Sequence, residues 1–329
     1  MLTLIQDPQI QQVLSPPNAS PQWQEDLDKL ISGDATLTRR SASEGSVRAL
    51  QRLLIFLGYS TSSTGAFAID GDFGRGSNRA LAQFEFDYGL GDGSITRSQL
   101  AYPCNWQSAR KLITSIPETP LRLATLEKML SVAKENIDNN KVNCGNFDEA
   151  VFQLNMLHDR KGMNCREIQT RYGADVDKAV KELKAENGRV IQPEWLLAII
   201  RQETAGVVRP RFEQHWLSKL ARQNPETELS ELRFQSMSFG LGQILGVNYN
   251  QVGAQSAQEL YTLPMTKQII AIARFLTRRQ SIRAVVGKSD PTADDFKVVA
   301  RFYNGSGYAA HHYDESLARW FREFKVLRG

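Results

Sequence analysis

Trp195, Leu196, Ile199 and Ile200 fall on one face of a helix, and Gly206 stops the run just beyond Glu203. This spacing fixes an amphipathic helix that buries one face and carries a carboxylate at its C-terminal end. Pro193 fits the first turn, where its missing N–H costs nothing. The same helical spacing recurs at Val47, Leu50, Leu53, Leu54 and Leu57, and again at Leu123, Leu126, Leu130, Ala133 and Ile137. It returns at Val176, Val180 and Leu183, and in an apolar run through Met265, Ile269, Ile270, Ile272 and Phe275. The last of these is expected to be a central buried helix. A mainly α protein is the expectation.

At 329 residues the chain is long for one hydrophobic core, so two domains and a smaller third piece are expected. Residues 1–42, with Pro16, Pro17 and Pro21, read as an N-terminal leader. Residues 43–110 form a first domain. Residues 111–188 read as a helical linker or second small domain, and residues 189–329 as a catalytic domain. In the first domain the helix closes at Gly58 and Tyr59. A loop from Thr61 to Gly65 and a short extended piece, Phe67 to Ile69, lead into Asp70-Gly71, a step that makes a tight turn. Ser77, Ala80, Leu81 and Phe84 mark a second helix, which ends near Gly89.

Leu50-Gln51, Leu57-Gly58-Tyr59, the run from Ile69 through Asp70, Gly71, Asp72 and Phe73 to Gly74, Ala80, Phe84 and Gly89-Leu90 resemble the signature of a small peptidoglycan-binding domain. The likeness spans residues 43 to 101. It implies a three-helix module in which Tyr59, Asp70 and Phe73 serve wall binding. Glu85 departs from that family, which often has glutamine there. A generic three-helix structural domain is the alternative. No second Asp-Gly-x-Phe-Gly turn marks residues 111–188 as a further binding repeat.

In the last domain Glu203 sits where the helix dipole disfavours negative charge, and burial against Trp195 and Ile199 would disfavour it further. Both effects suit a general acid. A surface glutamate that merely ends a helix gives the same local pattern. Glu213 follows in Phe212-Glu213-Gln214-His215-Trp216. If that stretch is helical, Phe212 and Trp216 share the core face and Glu213 points elsewhere, toward a cleft. Inverting hydrolases hold their carboxyls about 6.5–9.5 Å apart and retaining ones about 5–5.5 Å. Glu213 serves equally as a loop anchor for Arg209 or Arg211.

The segment Ser238 to Gly246 (SFGLGQILG) carries three glycines among apolar residues. Glycine lets backbone approach a ligand closely, and Gln243 can donate and accept toward a sugar amide or hydroxyl. It lacks the pattern of a phosphate loop. Asn248 and Tyr249 continue the surface. Residues 301 to 308 (RFYNGSGY) end another helix. There Tyr303 offers a flat face for stacking and Asn304 can bind an acetamido group; a core aromatic and a helix cap are the alternatives. Tyr313, Leu317, Trp320 and Phe321 form a closing helix.

Together, residues 200–203, 212–215, 238–246 and 303–308 with Tyr313-Asp314 resemble the N-acetylmuramidase domain of modular phage endolysins. More distantly they resemble goose-type lysozymes and soluble lytic transglycosylases. The likeness spans residues 190 to 326. It implies a lysozyme-like helical domain that hydrolyses the β-1,4 bond between N-acetylmuramic acid and N-acetylglucosamine, without cofactor or metal. Glu203 would be the acid, Glu213 a second catalytic carboxylate, and Ser238, Gln243, Asn248, Tyr303, Asn304 and Tyr308 would contact the glycan. Thr204-Ala205 stands where serine often follows the acid, and Ser306 where proline or alanine is common. A lytic transglycosylase using Glu203 alone is the rival enzyme. A non-catalytic wall-binding structural protein is the rival of another class.

A net charge of +4 is too weak to argue for nucleic acid and suits an anionic wall polymer. Cys104, Cys144 and Cys165 show no metal-like spacing and, being odd in number, no closed disulfide framework. His311 and His312 lack an obvious third ligand. The first residues lack a signal peptide's basic start, and no run is long enough for a membrane anchor. The expectation is a monomer made in the cytoplasm that reaches periplasmic peptidoglycan. A holin lesion would release it, or an injection machine would deliver it, the latter with a cognate immunity protein.

Overall fold

The computed structural model describes residues 3–34, 37–38, 42–59, 61, 69–100, 116–118, 120–142, 144–148, 162–208 and 211–329. Most of the expected loop at 61–65, Phe67, Cys104, Val151, Leu154, His158, Arg209 and Pro210 lie outside these residues. The described chain is mainly α, as its apolar spacing implies. In order it runs α1 (Pro8–Leu14), α2 (Pro21–Ser32), α3 (Glu44–Phe56), α4 (Arg75–Asp87), α5 (Arg97–Leu100), α6 (Leu123–Asp138), α7 (Cys165–Asn187) and α8 (Pro193–Glu203). Then come β1 (Arg211–Phe212), α9 (Gln214–Gln223), α10 (Leu229–Gln235), β2 (Met237–Phe239), β3 (Ile244–Leu245) and a 3-10 turn, Gly246–Val252. The chain continues through α11 (Ala257–Thr262), α12 (Met265–Thr277), α13 (Gln280–Val286), α14 (Ala293–Asn304), a 3-10 turn at Ser306–His311, and α15 (Tyr313–Arg328). No helix among the described residues is long and apolar enough to cross a membrane.

Two compact units share this chain by interleaved segments. One comprises residues 1–154, 210–238 and 256–262; the other comprises 155–209, 239–255 and 263–329. In the first, α3 and α4 bury Leu50, Leu53, Leu54, Ala80, Leu81 and Phe84 almost completely. Fully buried Gln51 organises the turn between them. Its Nε2 donates to Asp70 Oδ1 at 2.7 Å and to the Asp72 carbonyl at 3.1 Å, while its Oε1 accepts from the Gly71 N–H at 3.0 Å. Gly71 has φ of 79°, a conformation that costs glycine nothing. Glu85, the departure noted above, is buried and held by Arg122 Nη2 at 2.9 Å and the Thr125 hydroxyl at 2.8 Å. A buried carboxylate is tolerable only when paired in this way.

One local expectation needs correction. Phe212 is not on the helix that carries Trp216: Phe212 pairs in antiparallel register with Met237, and Arg211 with Ser238. The helix starts only at Gln214, with Glu213 at its cap position.

The second unit is built around α8 and α12. Residues 195–200 of α8 are wholly buried, as are Ile269, Ile270, Ile272 and Leu276 of α12. Trp195 packs against Phe296 of α14 and Phe321 of α15, with ring centroids 4.9 and 5.0 Å away. Helix α7 starts at a reciprocal cap, where Asn164 accepts from the Glu167 N–H and Glu167 accepts from that of Asn164. It ends at Gly188, with φ of 69°. Its buried residues Ile168, Tyr172, Val176 and Leu183 belong to the same core as α8. The later part of the segment read as a linker is therefore part of the unit that holds Glu203. Cys144 and Cys165 are both free and buried.

Candidate active site

Helix α8 delivers Glu203 half-buried at its last position. The chain then reverses through two left-handed residues, Ala205 at φ 49° and Gly206 at φ 79°. Their carbonyls are pinned: Ala205 accepts from the Met163 N–H at 2.8 Å, and Gly206 from the Tyr172 hydroxyl at 2.7 Å. The Thr204 hydroxyl lies 3.1 Å from the Ile200 carbonyl and 3.0 Å from that of Leu241. It ties the helix end to the glycine-rich turn. A serine has the same hydroxyl, which is why threonine suits a position where serine is common.

That turn is tightly specified. Gly240 has φ of 71° and Gln243 φ of 48°. The buried Leu241 N–H donates to Gln268 Oε1 at 3.1 Å, and Gln268 in turn donates to the Leu263 carbonyl at 2.8 Å. Gln243 folds back, its Nε2 donating to the Gly240 carbonyl at 3.2 Å. At Gly242 there is no room for a side chain, because a Cβ would lie 2.7 Å from the Tyr303 hydroxyl and closer still to Ile272. That hydroxyl donates to the Gly242 carbonyl at 2.6 Å. The ring of Tyr303 meets Phe275 edge-on at 5.4 Å.

Glu203 has a partner that no local pattern announced. The buried Tyr313, first residue of α15, donates its hydroxyl to Glu203 Oε1. Burial first, and then the Glu203 charge, push the Tyr313 phenol well above the usual tyrosine range. It therefore stays protonated, and a donor. The same two causes, in the same order, raise Tyr303. This bond fixes the orientation of the Glu203 carboxyl group at the helix end. The adjacent Gln202 is also gripped from α15, its Oε1 accepting from Trp320 Nε1 at 3.0 Å. Arg201 stacks on the same indole, 4.5 Å from the ring centroid. Removing the Tyr313 hydroxyl with Tyr313→Phe is expected to slow glycan cleavage about tenfold or more, since hydrogen bonds to charged groups contribute about 1.5–3 kcal/mol. Turnover at the wild-type rate would show that this bond does not matter to the reaction.

The other sequence-singled residues divide. Asn304 is exposed at the end of α14, and Tyr308 is half-buried against the core of the same unit. Asn248 binds within the unit, donating to the Leu245 carbonyl at 3.3 Å and accepting from Arg278 Nη1 at 3.2 Å. Ser238 and Glu213 belong to the first unit. There Ser238 is a buried strand residue, and Glu213 Oε1 lies 3.1 Å from Arg211 Nε, the loop-anchoring contact named as its alternative role. In the small module Tyr59 and Phe73 are buried. Tyr59 donates to Asp87 Oδ2 at 2.8 Å, and burial lifts that carboxyl to about 6. Asp70 is occupied by the turn.

Comparison with known proteins locates two families. Residues 43–101 match the family described as putative peptidoglycan binding domain. Residues 230–325 match the family described as N-acetylmuramidase, a span that begins downstream of both Glu203 and Glu213. No curated protein matches the chain. Among solved structures, the crystal structure of the Burkholderia AP3 phage endolysin is similar at 16% identity and a TM-score of 0.34. The match covers 88% of this chain and 99% of that one. Both families are the ones expected from the motifs; neither match bears on the more distant likeness to goose-type lysozymes.

Proposed function

We propose that this chain, a muramidase-type glycoside hydrolase with an N-terminal peptidoglycan-binding domain, cleaves the β-1,4 bond between N-acetylmuramic acid and N-acetylglucosamine with Glu203 as general acid. The observation that carries the residue assignment is the Tyr313–Glu203 hydrogen bond at the end of a helix whose residues 195–200 are wholly buried. It orients one carboxyl group beside the Gly240–Gln243 turn, to which Thr204 ties the helix end. The acid protonates the glycosidic oxygen as the C–O bond breaks, and the resulting carboxylate faces an oxocarbenium-like sugar. Gln243, Tyr303, Asn304 and Tyr308 are the glycan contacts in this reading.

Hydrolysis needs a second group to direct water. Glu213 is the proposed carboxylate, and its Arg211 ion pair is the observation that favours the rival. A lytic transglycosylase needs only Glu203, which acts as acid and then as base while the muramoyl O6 attacks. Mass spectrometry of digested sacculi separates the two. The expected product is a reducing muramic acid end, heavier by one water than the anhydro end of transglycosylation. A purely anhydro product sinks hydrolysis and keeps Glu203; new reducing ends on N-acetylglucosamine sink the bond assignment. Action in the periplasm as a monomer, after holin-dependent release or injection, belongs to the same proposal.

A further inference from the structure

Asn248 was expected to touch substrate, yet both ends of its amide are used within the protein. Its Oδ1 accepts from Arg278 Nη1 at 3.2 Å while its Nδ2 is engaged by the Leu245 carbonyl. What Asn248 presents is therefore a guanidinium. The Arg278 guanidinium carbon lies over two aromatic rings, 4.1 Å from the Phe275 centroid and 5.2 Å from that of Phe302. Arg279 stands over Phe302 at 5.3 Å. Among the described residues neither arginine is in an ion pair. Burial, and secondarily the neighbouring Arg279, hold Arg278 below the usual arginine range. Among the described residues no carboxylate forms an ion pair with either of these adjacent cations, one of them half-buried.

The position of this pair is as informative as its charge. Phe275, under Arg278, is the ring that Tyr303 meets edge-on, and Tyr303 is the phenol that feels the Glu203 charge. All these residues lie in one unit. A guanidinium is a planar fork that matches a carboxylate through two parallel hydrogen bonds, and stacking on aromatic faces fixes the plane of that fork.

We infer that Arg278, aimed by Asn248 and supported by Phe275 and Phe302, is a subsite for a carboxylate carried by the muramoyl residue of the glycan. The inference rests on the glycan-cleaving reading above and adds a group that discriminates among glycans. Two carboxylates have this chemistry: the lactyl carboxylate of a muramic acid without its peptide, and those of the peptide stem. Asn248 is in this account a positioning residue.

The test uses the full chain in steady-state cleavage of soluble glycan strands. Strands bearing stems are compared with strands stripped of peptide by an amidase, each with native carboxyls and with carboxyls converted to amides. Arg278→Met keeps the packing on Phe275 and removes the fork. It is expected to raise KM about tenfold on native strands, with kcat little changed, as loss of one charge-assisted contact implies. On amidated strands it should match the wild-type enzyme. Asn248→Ala should show the same substrate dependence at smaller amplitude. A KM effect confined to stem-bearing strands assigns the stem carboxylate; one confined to stripped strands assigns the lactyl group. Equal loss on native and amidated strands, or no loss on either, overturns the subsite while leaving glycan cleavage intact. A wild-type chain that cleaves none of the strands overturns the functional reading, and the subsite falls with it.

Discussion

Glu203→Gln is expected to abolish most glycan cleavage, by at least about 100-fold, while the protein keeps its fold, the range lost with a general acid. Glutamine occupies the same volume and its amide oxygen can still accept from Tyr313, so the packing at the end of α8 is preserved. What it cannot do is deliver a proton to a departing glycosidic oxygen. Clearing of outer-membrane-stripped cells measures the rate, and circular dichroism melting checks the fold. Turnover close to that of the wild-type chain would remove Glu203 from the mechanism. A large drop in melting temperature would mean that the carboxylate is structural.

The second large effect is expected at Gly242. A methyl group there would press on the Tyr303 hydroxyl and on Ile272, which is fully buried. Overpacking of this kind costs about 1–3 kcal/mol. At about 2–4 °C per kcal/mol for a unit of this size, melting should fall by several degrees. Relief requires Tyr303 to leave the Gly242 carbonyl, so Gly242→Ala should also lose at least about tenfold in cleavage, the equivalent of one displaced hydrogen bond and its geometry. Tyr303→Phe in the Gly242→Ala background should recover part of the stability by removing the nearest clashing oxygen. Unchanged melting in the single variant would show that the turn yields without cost.

Much of this arrangement was legible in the residues. The α8 pattern, its Pro193 start and its stop before Gly206 are local properties of the chain, and so are the Asp70-Gly71 turn and the apolar face of α12. The partnership of Tyr313 with Glu203 was not legible, because it joins residues 110 positions apart and depends on where α15 packs. Phe212 was misplaced because a two-residue strand is too short to imprint a period. Tyr59 and Phe73 were read as wall contacts, but an aromatic in a short motif looks the same whether it faces water or the core. Asn248 was recognised as polar and well placed; its sequence gave no hint that its amide would be spent on Arg278.

The grip of α15 on both Gln202 and Glu203 has a consequence for the order in which the protein becomes competent. Ribosomes make Glu203 long before they make Tyr313 and Trp320. A nascent chain that has just exposed α8 holds a carboxylate with neither its phenol nor the indole beside it. Catalytic readiness on this account is a late event of synthesis, arriving only when α15 emerges and docks. A chain that stalls or is cut before that helix carries Glu203 but not the phenol and indole that hold it and its neighbour.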